Sequence, residues 1–314
     1  MKKYRVLILG YPVDKVEEVQ HCFHMMYLTI RQTLELIPEV EIVSFDATEK
    51  GRIRCSAQPN KIFLQNKINE FPAVDYIIVN DLDVFFTPEI VALLRIKCKK
   101  IFSYLEIGEL GDISFIFTDY YYRQKAENCR VIPAPYGNFY SSVEKEPKSI
   151  LLDHSAWLGR TDVPIDRYEM SDKIYSWLEE IKNEFKIYSL VYGAVQGERC
   201  LKLLPSYVTS IMPCSFVSYL EQTNKMETFV VTHKGSYNLS VIDMLVRGIR
   251  VIAFPSFIPQ YNVDRFNIPL YTDKPTFLSE IRKPVNKEFW DKQKERCTSI
   301  NKLSEVFLKE FSND

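Results

Sequence analysis

Between Thr232 and Ala253 the chain reads T-H-K-G-S-Y-N-L-S-V-I-D-M-L-V-R-G-I-R-V-I-A, and this run holds the residues best suited to chemistry. An apolar stretch, Thr228–Thr232, enters a loop of Gly235, Ser236, Tyr237 and Asn238. Leu239 to Arg247 has the pattern of a helix, Gly248 stops it, and Arg250 opens a second apolar strand. Small residues ahead of a helix leave main-chain N–H groups and the positive helix end free to meet an anion. The carboxyl edge of an open α/β sheet is where phosphates bind. Asp243 stands one turn into the helix on the side of Leu239, where a carboxylate can accept from both hydroxyls of a ribose. The chemistry expected is nucleotide binding; without a ligand the same pattern is an ordinary βαβ crossover.

Other candidates are thinner. Asp81-Leu82-Asp83 follows an apolar run, and two carboxylates one residue apart suit a divalent cation. A D-x-D also arises by chance in a chain of this length, so a surface loop at a strand's carboxyl end is the reading preferred. His21 and His24 flank Cys22 at helical spacing, but no further ligand lies near them in sequence, which leaves them as helix-face histidines. Asp153-His154-Ser155 is no hydrolytic triad, because triad partners meet in space and not as chain neighbours. Glu106 and Glu109 come just past the run Lys100–Leu105, a position from which a carboxylate could take a proton from an acceptor hydroxyl.

Strand-like and helix-like runs alternate along almost the whole chain, which predicts parallel βαβ units and doubly wound sheets. Strands are expected at Val6–Leu9, Val40–Phe45, Asp75–Asn80, Lys100–Leu105, Ile113–Thr118 and Cys129–Ile132. A second set follows at Ser149–Asp153, Lys186–Tyr192, Thr228–Thr232 and Arg250–Phe254. Helices are expected over Lys15–Ile37, Lys61–Phe71, from Thr87-Pro88 to Lys97, over Asp172–Glu184, Pro213–Gln222 and Leu239–Arg247, and as one long terminal helix from Lys287 to Phe311. The polar stretch Asn138–Lys148 reads as a linker, and 314 residues suit two domains of roughly 150 each.

Forty basic residues against 41 acidic ones exclude a strongly positive nucleic-acid binder. The seven cysteines contain no C-x-x-C pair and read as reduced thiols of a cytoplasmic protein. Met1-Lys2-Lys3 precedes an apolar run too short for a secretion signal, and Pro205 and Pro213 interrupt the uncharged stretch Leu203–Leu220. No integral membrane segment is expected.

The run around Asp243 resembles the donor-site signature of group 1 of the retaining GT-B glycosyltransferases, E-G-x-G-L-x-x-x-E-A-x-A-x-G followed by a Val/Ile-rich strand. With Leu239 and Gly248 fixing the register, Asp243 falls on the second acidic position, which in that family contacts the nucleotide ribose. Gly235 falls on the first Glu and Asn238 on a Gly. Val131-Ile132-Pro133-Ala134-Pro135-Tyr136-Gly137 is similar to the turn that ends the family's first domain. The resemblance implies an α/β fold of two Rossmann-like doubly wound parallel-sheet domains facing each other across a cleft. They would span residues 1–142 on the acceptor side and 149–286 on the nucleotide-sugar side, with a helix in 287–314 packing back toward the first. It implies transfer of a hexosyl group from a nucleotide-sugar to an acceptor hydroxyl, with the nucleotide-sugar as co-substrate and no metal or other cofactor. Gly235, Ser236, Tyr237, Asn238 and Leu239 would cradle the phosphates, and Asp243 would hold the ribose. Arg160 or Lys234 would offset charge on the departing diphosphate, Glu106 would act as base, and Gly10 and Asp81 would lie on the acceptor side. The acceptor stays open among glycan, protein, small molecule and modified nucleic acid. Two alternatives accompany this reading: a metal-dependent GT-A-like transferase using Asp81 and Asp83, and a GT-B-like protein that binds a nucleotide or a partner without turnover.

Overall fold

The computed structural model describes residues 3–10, 12–19, 22–46, 66, 68–70, 72–80, 88–104, 111–116, 128–131, 135–138, 140, 143–154, 173–191, 200–212, 215–232 and 239–313. The chain forms two units: Met1–Phe139 together with Thr298–Asp314, and Tyr140–Cys297.

In the first unit six strands, β1 (Tyr4–Gly10), β2 (Val40–Asp46), β3 (Tyr76–Val79), β4 (Lys100–Tyr104), β5 (Ile113–Ile116) and β6 (Cys129–Val131), lie in the order β2-β1-β3-β4-β5-β6. Every pair is parallel. Val6–Leu9 and Tyr76–Val79 are fully buried, as strands covered on both faces must be, and this is why they read as unbroken apolar runs. Helix α2 (Pro88–Lys97) starts on Pro88, with Glu89 in its first turn and Arg95 and Lys97 in its last, charges matched to the helix dipole. Its Ile90, Val91 and Leu94 pack with Leu7, Leu9, Ile77, Val79 and Ile101.

The first helix is shorter than its apolar pattern implies. A 3-10 turn at Val16–Glu18 comes first, and α1 covers only Cys22–Glu35. Glu18 accepts from the main-chain N–H of Asp14 at 2.8 Å and Lys15 at 3.4 Å, so its carboxylate closes a separate turn and the helix begins afresh. The terminal helix departs more. Helical turns at Lys287–Asp291 and Gln293–Arg296 are followed by a two-residue strand, Thr298–Ser299, and only then by the helix Ile300–Ser312. That strand pairs in parallel with β7 (Pro135–Tyr136), and Ser299 caps the helix by accepting from the N–H of Lys302. A strand pairing between distant segments therefore overrides local helical preference. The helix buries Leu303, Phe307 and Phe311. Phe311 stacks on Tyr76 with ring centroids 4.5 Å apart, and the Tyr76 hydroxyl donates to the Phe311 carbonyl at 3.0 Å.

In the second unit β8 (Ser149–His154), β9 (Lys186–Leu190), β10 (Val208–Ile211), β11 (Thr228–Val231) and β12 (Arg250–Ala253) form a parallel sheet in the order β10-β9-β8-β11-β12. The edge strand β10 was not expected. Its Thr209 and Ser210 lack the apolar pattern of a buried strand, and an edge position does not demand one. Helix α3 (Phe216–Thr223) begins on Ser215, whose hydroxyl accepts from the N–H of Ser218, rather than at Pro213. Two further unexpected helices, Gln260–Phe266 and Lys274–Arg282, follow β12. Among the described residues no helix is long and apolar enough to cross a membrane.

Helix α4 (Leu239–Val246) joins β11 to β12 and ends against Gly248, which has φ 71°. The N–H of Gly248 reaches the Leu245 carbonyl and that of Ile249 the Met244 carbonyl, closing the helix in the left-handed way that favours glycine. A Cβ at Gly248 would also stand 2.5 Å from the Asp291 Oδ1. Gly248→Ala is expected to destabilise the protein by about 1–3 kcal/mol through the left-handed backbone and the collision together. Urea denaturation of G248A beside G248A/D291A checks this, since removing the Asp291 carboxylate relieves only the collision.

Candidate functional site

A doubly wound sheet opens at the point where its strand order reverses, because the crossovers on either side leave in opposite directions. In the second unit that point lies between β8 and β11: β9 and β10 build outward on one side and β12 on the other. The carboxyl end of β8 is His154, where the pairing with β9 shifts register after Leu152. The carboxyl end of β11 is Val231, followed by the buried Thr232 and then the run from His233 to Asn238 that leads into α4. Both segments singled out in the sequence therefore leave the sheet at one place. Lys234, Gly235, Ser236, Tyr237, Asn238 and Arg160 themselves lie outside the described residues, as do Glu106, Glu109, Asp81 and Asp83. Leu239 opens α4, and Asp153 and His154 end β8.

Asp243 is the residue expected at the nucleotide whose side chain is described. It sits on α4, and it is not alone. The side chains of Arg247 and Asp243 are 0% and 4% exposed, and Arg247 Nη2 lies 2.5 Å from Asp243 Oδ2. The Tyr219 hydroxyl, from α3, also donates to Oδ2. The guanidinium is engaged on every nitrogen: Nε donates to the Asp243 carbonyl at 3.1 Å, Nη1 to Thr223 Oγ1 at 2.7 Å, and Nη2 also reaches the Tyr219 hydroxyl at 3.2 Å. The Tyr219 ring lies beneath it, 5.3 Å from Cζ. Oδ1 of Asp243 is closed to solvent, and the Tyr140 phenol hydrogen-bonds to the same carboxylate.

The electrostatics follow from this enclosure. Burial works against the Arg247 charge, yet Asp243 and the phenol oxygens of Tyr219 and Tyr140 keep its pKa above the ordinary arginine value. Tyr140 faces the same pair; burial first, and the Asp243 charge next, raise its phenol well above the usual range. Nearby, Lys145 donates to the Asn224 carbonyl at 2.6 Å, and burial followed by the Arg247 charge brings its pKa down to about 8. The spacing of Asp243 and Arg247, four apart on one helix, was visible in the sequence but went unused there. Tyr219, Thr223 and Tyr140 come from other segments, and no local pattern announces them.

The first unit has its own reversal, between β1 and β3. Gly10 ends β1 there, and a Cβ on it would meet the Asn80 Cβ and carbonyl oxygen at 3.2 Å. Asn80 is buried and donates its N–H to the Leu9 carbonyl at 2.9 Å, so the two strand ends are drawn close at the edge where Asp81 follows. His24 is buried in α1, and burial lowers its pKa while Glu18 acts in the opposite direction. His21 lies outside the described residues. Among the described residues no group of three or more His, Cys, Asp or Glu side chains is placed to hold a metal ion.

Breaking a buried ion pair costs far more than an exposed one, because the partner is left charged and unsolvated. Asp243→Asn should therefore destabilise the protein by about 3–5 kcal/mol. The double variant D243N/R247M, which removes the stranded cation, should recover much of that loss in chemical denaturation.

No protein-family model matches the sequence, and no curated protein matches it. Solved structures do match in fold. Sucrose-phosphate synthase from Thermosynechococcus elongatus aligns over 100% of both chains with a TM-score of 0.66 at 13% identity. AviGT4, a glycosyltransferase involved in avilamycin A biosynthesis, aligns over 98% of this chain and 97% of its own, with a TM-score of 0.64 at 11% identity. The UDP-N-acetylglucosamine 2-epimerase of Neisseria meningitidis, solved with its UDP-sugar bound, aligns over 100% of both chains, with a TM-score of 0.57 at 12% identity. At such identities the likeness speaks for the fold. Together with the two parallel sheets it shows that this chain is a divergent protein of GT-B fold.

Proposed function

We propose that the chain is a glycosyltransferase, moving a sugar from a nucleotide-sugar to an acceptor hydroxyl without a metal ion. The observation that supports this most is a coincidence of place. The order reversal of the second sheet falls between β8 and β11, and the Gly-Ser-Tyr-Asn run leaves β11 there to open α4. Main-chain N–H groups at such a turn, and the helix end behind them, suit the diphosphate. In this reading Gly235, Ser236, Tyr237, Asn238 and Leu239 hold the phosphates, and Lys234 or Arg160 offsets the charge on the leaving group. Asp243, one turn into α4, would hold the nucleoside ribose. Gly10, Asp81 and Glu106 belong to the acceptor side, with Glu106 as general base. Glycosyltransferases and a nucleotide-sugar epimerase share this fold, which agrees with a nucleotide-sugar as the common ligand.

A second reading has its own observation. Gly235 stands where the resembling family has a glutamate, and the Asp243 carboxylate is paired to Arg247. Both fit a GT-B-like protein that binds a nucleotide without turning it over.

Thermal denaturation with UDP, GDP, CDP, ADP and dTDP and their sugars, with and without EDTA, separates these. A ligand at about 100 times its dissociation constant stabilises by about 2.7 kcal/mol, a shift of several degrees. Stabilisation by one nucleotide family, insensitive to EDTA and accompanied by release of nucleoside diphosphate from its sugar, is the expected outcome. Stabilisation without release on any acceptor would favour the binding protein. No stabilisation by any nucleotide would remove the reading.

A further inference from the structure

We propose that a surface groove of the second unit binds the phosphoryl group of a small phosphate monoester. The groove, of about 470 Å³, is lined by Tyr261, Asp264 and Arg265 of the helix Gln260–Phe266 and by Arg296 of the turn Gln293–Arg296. Its two arginines hold each other in place. Nε and Nη2 of Arg265 donate to the Arg296 carbonyl at 2.9 and 2.7 Å, and Nη1 of Arg296 donates to the Arg265 carbonyl at 2.8 Å. Both residues stand in a last helical turn, so each guanidinium caps the other's helix end. Capping leaves donors unspent: Nη1 of Arg265 and Nε and Nη2 of Arg296 make no hydrogen bond.

Charge balance sets this pair apart. Arg31, Arg95, Arg130 and Arg282 each pair with a carboxylate at 2.8–3.1 Å. Arg265 and Arg296 pair with none among the described residues, although Asp264 lines the same groove; its carboxylate accepts from Gln260 Nε2 at 2.7 Å instead. Two cations brought to one groove without a counter-ion repel each other, and a dianionic oxyanion relieves that repulsion. Guanidinium N–H groups match phosphate oxygens in geometry, and main-chain bonds have already ordered these two side chains, which lowers the entropy lost on binding. The helix-end carbonyls that would oppose an anion are covered by the guanidiniums themselves. The volume is that of a small-molecule site, which favours a monoester over a bare ion. The groove is separate from the order reversal between β8 and β11. The helix Gln260–Phe266 follows β12, the outer strand on the far side of β11, and the chain returns to β12 where Leu270 bridges Ala253.

The test is a phosphorus NMR titration of the intact chain with glycerol 2-phosphate and with inorganic phosphate, at low and constant ionic strength. Both should bind saturably. Arg296→Gln should weaken both by about 10-fold, as for lost hydrogen bonds to a charged group. Asp264→Asn, which removes the carboxylate lining the groove, should tighten both by about 2-fold or more. Arginines that served only as caps would give no such gain, and D264N keeps every hydrogen bond of both guanidiniums, so this result stands even where R296Q does not fold. Saturation by inorganic phosphate alone would overturn the monoester. Binding that neither substitution alters would put the phosphate elsewhere in the chain and overturn the groove. No saturable binding of either compound would overturn the proposal while leaving the nucleotide reading untouched.

Discussion

Parallel pairing leaves a strand no short way back to its neighbour, so each connection must climb over the sheet, and all carboxyl ends collect along one edge. The rest of this molecule depends on that constraint. Both sheets are wholly parallel, and in each the first strand has later strands added on both sides of it. The places where order reverses, β1 beside β3 and β8 beside β11, are therefore dictated by topology and require no particular side chain. What the side chains add is local: a glycine that lets β1 approach Asn80, a register shift at the end of β8, and a run of small residues after β11.

Within the second unit, the Asp243–Arg247 pair is the buried charge around which α3 and α4 are arranged. A full positive charge with no solvent around it is tolerable only with a counter-ion and a donor-by-donor account of its N–H groups. Thr223, Tyr219 and the Asp243 carbonyl supply that account. The arrangement ties α3 to α4, so the helix that leaves the site is braced from the side by hydrogen bonds of fixed direction as well as by packing.

The first unit is completed by the end of the chain. Thr298–Ser299 adds to β7, and the following helix lays Phe307 and Phe311 against Phe102, Phe115 and Tyr76. Arg130 of β6 pairs with Glu310 of the same helix at 3.1 Å. Aromatic rings at centroid distances of 4.5–6.3 Å cover a face of the sheet, and Phe311 reaches Tyr76 across 235 residues of chain.

The sequence by itself determined the class of fold, because buried parallel strands must be continuous apolar runs and helices must carry their own start and stop signals. Tyr76–Val79, Thr228–Val231, the Pro88 start of α2 and the Gly248 stop of α4 were all legible for that reason. It also made legible the run from Thr232 to Ala253 as strand, small-residue loop, helix and strand. Tertiary structure decided what depends on distant partners. It turned Thr209 and Ser210 into an edge strand, broke the segment from Lys287 to Phe311 where Thr298 could pair with Pro135, and set the strand order that creates the two reversal points. It also decided the state of Asp243. The carboxylate and its arginine share one helix and one local rule, but Tyr219 and Tyr140 reach them only once the chain has folded, and the burial of the pair has no signature in a linear pattern.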